Sequence, residues 1–321
     1  MSMSNPLQPS LGMEEKPEGS KPKKSVQLGF VSECEPWKLG SRFFPSKVGG
    51  KPSWLDLKDL PSSEELACDK CRKPRILLCQ IYAPIDDQAS CFHRSIFVFI
   101  CRDADCCEEN SNLNFTAFRC QLPRKNAFYP YEPPVEEETW RTDIKAEKYQ
   151  KLCYICGNIA LNACGRCQAV SYCSRSHQKV HWAAGHRLEC AKNLSKDAIK
   201  IRPNHVLLKE YEIVIEPEDR EEEIPSKSEE EAVKQYEDLV IQGRGGAFHG
   251  EAAVDGDLAA MAMKEDKAYS KFKKVIQPNP DQILRYERHG KPLWISEDHI
   301  PEEKDIPPCE ICDGKRDFEF Q

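Results

Sequence analysis

What this 321-residue chain lacks narrows its chemistry before any motif is read. No stretch approaches the roughly 18 consecutive apolar residues that a membrane-spanning helix needs. The first 25 residues, rich in Pro, Ser, Lys and Glu, hold no hydrophobic region of a secretory signal. No membrane partner is therefore expected, and the expected location is cytoplasmic and nuclear. Also missing are a Gly-rich cofactor loop, a nucleophile elbow, a His-Glu-x-x-His pair and an obvious pair of catalytic carboxylates. The "VGG" at residues 48–50 is too short for phosphate binding, has no helix entering after it, and reads as a tight turn before Pro52. The chain is not expected to be an enzyme.

A broad basic surplus is missing too. The net charge is −7, and residues 210–238 alone hold 13 acidic side chains against Arg220, Lys227 and Lys234. That segment carries −10 and the remainder +3, so direct nucleic-acid binding is not expected. An acidic linker of this kind either screens a basic partner or is simply solvated. With 23 prolines and 31% charged residues, part of the chain reads as linker, including a disordered tail at residues 1–25. Lys21, Lys23 and Lys24 in that tail read as solvated charge before they read as an import signal.

What the chain has in abundance is cysteine, 17 residues, many in Cys-x2-Cys pairs. In a reducing compartment such pairs read as zinc ligands rather than disulfides. The densest stretch, residues 153–190, is "CYICGNIALNACGRCQAVSYCSRSHQKVHWAAGHRLEC". Its ligands are Cys153, Cys156, Cys164, Cys167, Cys173, His177, His186 and Cys190, enough for two closed tetrahedral sites. Cys173 with His177, and His186 with Cys190, are four apart and fall on one face of a short helix. His181, one turn beyond His177, is the alternative ligand. So small a unit has little core, and zinc supplies on the order of 10 kcal/mol per structural ion. Closed sites leave no position for a reactive water, so these ions are read as structural. The stretch resembles a MYND-type zinc finger. The resemblance implies cross-braced pairing, Cys153, Cys156, Cys173 and His177 around one ion and Cys164, Cys167, His186 and Cys190 around the other. Spacing alone also admits consecutive pairing, and His177 stands where most such fingers carry Cys.

The chain also resembles itself. Residues 50–80, "GKPSWLDLKDLPSSEELACDKCRKPRILLCQ", match residues 290–321, "GKPLWISEDHIPEEKDIPPCEICDGKRDFEFQ". Gly50, Lys51, Pro52 and Trp54 fall on Gly290, Lys291, Pro292 and Trp294; after one inserted residue Cys68, Cys71, Arg75 and Gln80 fall on Cys309, Cys312, Arg316 and Gln321. In the first copy "SIFVFI" is a buried strand leading to Cys101 and Cys106, which close a zinc site with Cys68 and Cys71, unless Cys107 takes the fourth place. The second copy ends where that strand would begin. A truncation of roughly fifty residues is expected from the repeat, with a poorly anchored end and with Cys309 and Cys312 as an incomplete pair that cannot hold zinc alone. Cys34, Cys79, Cys91 and Cys120 are read as ordinary thiols.

Together "RFFPSKVGGKPSWL", "FHRSIFVFICR", "QLPRKNAFYPYEPP", the finger and "QILRYERHGKPLWISEDHIP" closely resemble the programmed cell death protein 2 family, over residues 26–321. The resemblance implies a mainly β fold with little α, a duplicated zinc-binding β domain interrupted by the finger. Two zinc ions in the finger and one in the N-terminal half are expected. It also implies a dedicated chaperone for a basic small-subunit ribosomal protein, universal small-subunit protein five or protein two in eukaryotic naming, supporting 40S ribosome biogenesis. The acidic segment would screen that client, and a groove between the halves would hold an extended stretch of it by strand addition. The alternative is an adaptor in transcriptional or cell-death regulation that binds proline-containing peptides at the finger, with Tyr154 or Trp182 as contacts. A monomer is expected. The expected units are residues 26–134, a linker at 135–150, the finger at 151–192, an acidic linker at 193–262 with a strand at Tyr211, Ile213 and Ile215, and an incomplete second half at 263–321. A helix is expected at 257–276, stopped by Pro278 and Pro280.

Overall fold

A computed structural model describes residues 26–192, 194–200, 202–218, 267–310 and 312–321. The tail at 1–25, the acidic run beyond Glu218 and the first part of the expected helix lie outside the described residues. The chain order is β1 (Gln27–Ser32), β2 (Lys47–Val48), β3 (Ile76–Tyr82), β4 (His93–Ile100) and β5 (Phe115–Leu122). There follow β6 (Asn162–Ala163), β7 (Ser171–Tyr172), α1 (Arg175–His181) and α2 (Arg187–Ala191), then β8 (Tyr211–Pro217), α3 (Lys267–Ile276) and β9 (Leu284–Tyr286). The fold is mainly β with few helices. α3 ends before Pro278, as a residue without an amide donor requires.

One sheet takes strands from both sides of the finger, in the order β5-β4-β3-β2-β8-β1-β9, every pairing antiparallel. β4, "HRSIFVFI", is buried almost throughout and packs Phe97 and Phe99 on Trp54, with ring centroids 5.2 and 5.8 Å away. Leu55, Leu57, Leu66 and Leu77 complete that core. The strand expected at Tyr211, Ile213 and Ile215 is β8, an inner strand of the sheet that pairs with β1, Gln27 against Pro217 through Ser32 against Glu212. On their far sides β8 meets β2 and β1 meets β9. The first strand of each half therefore pairs with the later strand of the other half, and neither half owns a complete sheet.

Close contacts hold this exchange in place. Gly29 of β1 has no room for a side chain, since a Cβ there would stand 2.7 Å from Ile213 Cγ2 and 2.8 Å from Leu284 Cβ. Gly49 closes the turn after β2 at φ +67°, and a Cβ there would stand 2.2 Å from the Lys209 carbonyl oxygen. The ammonium of Lys47, buried under the sheet, is paired with the Glu210 carboxylate.

The end of the chain is not poorly anchored, contrary to the expectation from the repeat. Arg285 and Gln321 exchange both backbone hydrogen bonds at 2.8 and 2.9 Å, and Phe320 bridges to Tyr286. Glu319 accepts a fork from Arg94 of β4, with the second arm at 2.6 Å, and a bond from the Tyr286 hydroxyl at 2.8 Å. The Gln321 side chain accepts from Leu293 N–H at 2.7 Å and donates to its carbonyl at 3.2 Å. Gln80 makes the same two bonds to Ser53, at 2.8 and 3.3 Å, at the matching place in the first copy. Backbone and polar contacts, with Phe320 and Tyr286 packed beside Leu284 and Ile213, thus hold the end. The apolar residues do differ: Trp54 and Leu55 are 3% and 2% exposed, whereas Trp294 and Ile295 are 38% and 59% exposed.

This asymmetry predicts unequal costs of truncation. Trp54→Ala should cost about 3–5 kcal/mol and Trp294→Ala roughly 1 kcal/mol or less. Urea unfolding midpoints of the two variants check this, and equal shifts would contradict the packing described.

Candidate metal centres

Each Cys-x2-Cys pair is built on the same turn. The N–H four residues after the first cysteine donates to that cysteine's carbonyl: Arg72 to Cys68 at 2.8 Å, Gly157 to Cys153 at 2.9 Å, Gln168 to Cys164 at 2.9 Å and Asp313 to Cys309 at 2.7 Å. The donor residue is left-handed every time, with φ of 59°, 76°, 57° and 54°. Such a turn aims both sulfurs, and the amides between them, at one point. In three of the four pairs other elements bring two more donors to that point.

The first cluster holds Cys68, Cys71, Cys101 and Cys106, their sulfurs all within 4.8 Å of one another. β3 and β4 run back from the knuckle and return Cys101 beside it, with Cys71 and Cys101 Sγ 3.6 Å apart. A 3-10 turn over Ala104–Cys106 directs Cys106 inward and buries it. Cys107 faces out: it accepts from Asn114 Nδ2 at 3.5 Å and lies 3.7 Å from the Asp103 carbonyl.

The finger holds the other two clusters, Cys153, Cys156, Cys173 and His177, and Cys164, Cys167, His186 and Cys190. The donors interleave along the chain, which is the cross-braced arrangement. Cys173 and His177 do not share a helical face. Cys173 precedes α1, Ser174 caps it by accepting the His177 N–H at 3.2 Å, and the pair meets across the helix start. Gly185, at φ 130°, then breaks the helix so that His186 and Cys190 can turn to the other cluster. His181 is in neither tetrad. Its Nδ1 bonds the Tyr172 hydroxyl at 2.8 Å, and its ring stacks on Tyr154 at 4.2 Å and on His186 at 4.6 Å. Glu189, close to both histidines, is occupied by the Arg202 guanidinium at 2.7 and 3.0 Å.

The donor sets fit zinc. Tetrahedral zinc with Zn–S bonds of about 2.3 Å separates its sulfurs by about 3.8 Å. The Cys156–Cys173 and Cys164–Cys190 sulfurs lie 3.6 and 3.8 Å apart, and Cys153 to His177 Nδ1 and Cys167 to His186 Nε2 are 3.6 Å each. None of the 17 cysteines is in a disulfide. The first cysteine of each complete knuckle is the one most readily ionised. Burial pushes Cys68 and Cys164 up, but backbone N–H groups and neighbouring ligands outweigh it and bring them to about 7 and about 6. Hydrogen bonds from Cys156 and Cys173 hold Cys153 far below the thiol range. Cys309 and Cys312 join no such group among the described residues, with Cys309 half-buried and Cys312 exposed.

How the finger is seated was not legible from the sequence. Trp54 Nε1 donates to the Gly157 carbonyl at 2.9 Å, Ser63 Oγ to that of Ile159 at 2.7 Å, and the buried amide of Asn158 to that of Arg75 at 3.1 Å. Two of these three bonds are made by the main chain around the Cys153 knuckle, and Ile76 of β3 packs in the finger's own core. A side chain bonding to a backbone carbonyl leaves no pattern in sequence.

Family models match three segments of the chain: "Programmed cell death protein 2, N-terminal domain" over residues 25–136, the MYND finger over 153–190, and "Programmed cell death protein 2, C-terminal putative domain" over 266–321. The chain is 42% identical to programmed cell death protein 2 of Rattus norvegicus and 43% identical to that of Mus musculus, covering 92% of this chain and 83% and 82% of those proteins. To programmed cell death protein 2-like of Homo sapiens it is 25% identical over 86% of this chain and 76% of that protein. No solved structure matches.

Removing one ligand should remove one ion. Cys164→Ser and Cys106→Ser should each lower the zinc content of the purified chain by one ion, and Cys107→Ser should leave it unchanged. Native mass spectrometry reads the count. Excess chelator should unfold the finger, seen as loss of near-ultraviolet circular dichroism that returns when zinc is restored.

Proposed function

The chain belongs to the programmed cell death protein 2 family, and from that premise we propose that it is a dedicated chaperone for a basic small-subunit ribosomal protein. The client would be universal small-subunit protein five, taken up in the cytoplasm or nucleus on its way to 40S assembly. The observation that carries this reading is the placing of the acidic segment. It runs through β8, an inner strand paired on both sides, and Glu212 and Glu216 on that strand precede the acidic run in the sequence. Free ribosomal proteins are strongly basic and fold fully only on RNA, so a run of negative charge continuing from a sheet strand would supply screening.

The finger serves as part of the frame. Its seating on Trp54 and Arg75 makes it one body with the sheet, which favours capture by the β domain over a freely presented adaptor finger. Each of the three four-donor clusters would hold a structural zinc with no coordination position left for a substrate, which supports a binding role for these centres. The matched roles of Gln80 and Gln321, and the shared knuckle turn, support descent of the two halves from one duplicated unit. The protein acts as a monomer.

Mass spectrometry of proteins co-purifying with the chain from cytosol tests the assignment. One small-subunit ribosomal protein in near-equal amount is the expected result; proline-rich nuclear proteins in its place would support the adaptor reading instead. Replacing the acidic residues of the 210–238 segment that lie beyond Glu218 by Ser should weaken client binding by roughly tenfold at low salt and far less at high salt.

A further inference from the structure

Beside β5, the last strand of the sheet, runs a groove of about 370 Å³. Its floor is apolar and aromatic: Trp54, Leu55, Phe97 and Phe118. Its rim is acidic, with Asp56, Asp59 and Glu65 facing a single lining cation, Arg119. Among the described residues no ion pair joins these three carboxylates to a basic side chain. Asp56 caps its own turn by accepting the N–H groups of Lys58 and Asp59, both at 2.8 Å, and Glu65 accepts that of Ser62 at 2.8 Å. The bond from Ser62 also holds the Glu65 carboxyl below its ordinary range.

The strand beside the groove is unfinished. Cys101 N–H donates to the Asn114 carbonyl at 2.8 Å, which makes those two a hydrogen-bonded pair. Alternation along the antiparallel register then turns the amides of Thr116, Phe118 and Cys120 toward β4 and those of Ala117 and Arg119 away from the sheet. The side chains on the inner face, Thr116, Phe118, Cys120 and Leu122, are only half-buried, so the layer over Trp54 continues outward without cover. An unpaired edge next to an apolar trough accepts an added strand, whose alternate side chains enter the trough. The acidic rim selects what those side chains are.

We infer that the β5 edge and this groove form the seat for an extended segment of the protein client, paired to β5 as an added strand, with an Arg or Lys placed between Asp56, Asp59 and Glu65. The aliphatic stem of that side chain lies on Phe97 and Phe118 while its charge meets the carboxylates. This deepens the proposed function and rests on its reading of a basic client. It assigns capture to the outer edge of the first half, and the cleft between the halves becomes the joint that holds the sheet together.

The test uses the full chain and two variants, Asp56→Asn/Asp59→Asn/Glu65→Gln and Ala117→Pro. The first removes the rim charge while keeping the turn acceptors. The second deletes an outward amide at a sheet edge, where proline is tolerated. The probe is a fluorescent decapeptide alternating arginine and valine, with a glutamate and valine counterpart as control, read by anisotropy, and cytosolic capture of the ribosomal protein is read alongside. Each variant should weaken the arginine peptide by about tenfold or more and lower capture of the ribosomal protein, with zinc content unchanged; the glutamate peptide should bind none of them. Parent-level peptide binding and parent-level capture by the charge variant would overturn the groove while leaving the chaperone reading intact. Groove-dependent peptide binding by a parent chain that captures no ribosomal protein would uphold the groove for a basic segment and overturn the client. Should Ala117→Pro fail to fold, the charge variant decides alone.

Discussion

The pairing of β1 with β8 is the constraint on which the rest of the structure depends. Six residues of each strand run against one another inside the sheet, and each strand then passes its outer edge to the opposite half. Hydrogen bonds along a buried antiparallel ladder are individually modest, but leaving the same groups unpaired in the interior is costly. Separating the halves would expose the edges of β2 and β9 together with the centre of the sheet. The crowding at Gly29 and the paired charge of Lys47 with Glu210 make the same point at atomic scale: these strands fit each other and little else. A long insertion between the halves is tolerated because loop closure grows only slowly with length.

Around that joint, stability is distributed unevenly. The first half has a hydrophobic core centred on Trp54 and a thiolate cluster at the far end of β3 and β4. The finger has a small core into which all six of its cysteine donors are folded, so metal and packing cannot be separated there. The C-terminal segment closes no metal cluster among the described residues; Leu284, Tyr286 and Phe320 pack on Ile81 and Ile213, and main-chain bonds, the Gln321 amide and the Arg94–Glu319 fork hold the rest. A buried guanidinium forked onto a carboxylate is a directional lock that would cost several kcal/mol to break from one side, which is why the end stays seated although Trp294 and Ile295 remain open to solvent.

Much of the candidate site was legible because metal chemistry constrains residue type and spacing together. Cys68, Cys71 and Cys101 could be grouped from spacing, and so could the eight donors of the finger, since thiolates and imidazoles at knuckle intervals have few other uses. The choice of Cys106 over Cys107 was not legible: adjacent residues have equal reach, and a single 3-10 turn decides which one faces inward. His177 and His181 were ambiguous for a related reason, because the cap at Ser174, invisible as spacing, sets where the helix begins. The strand exchange was hidden altogether. The strand at Tyr211, Ile213 and Ile215 was legible from its alternation, but alternation of apolar residues states which face is inside without naming the neighbour.

The sequence by itself determined the ligand inventory, the mainly β character, the repeated Gly-Lys-Pro-x-Trp and Cys-x2-Cys pattern and the concentration of negative charge after residue 210. These are local properties, written in residue types and intervals. Tertiary structure alone decided which half each central strand serves, how Trp54 seats the finger, and that Asp56, Asp59 and Glu65 share a rim over Phe97 and Phe118. Such facts join residues tens to hundreds of positions apart, and what selects them is the burial of one sheet face and the satisfaction of its hydrogen bonds, which no interval along the chain records.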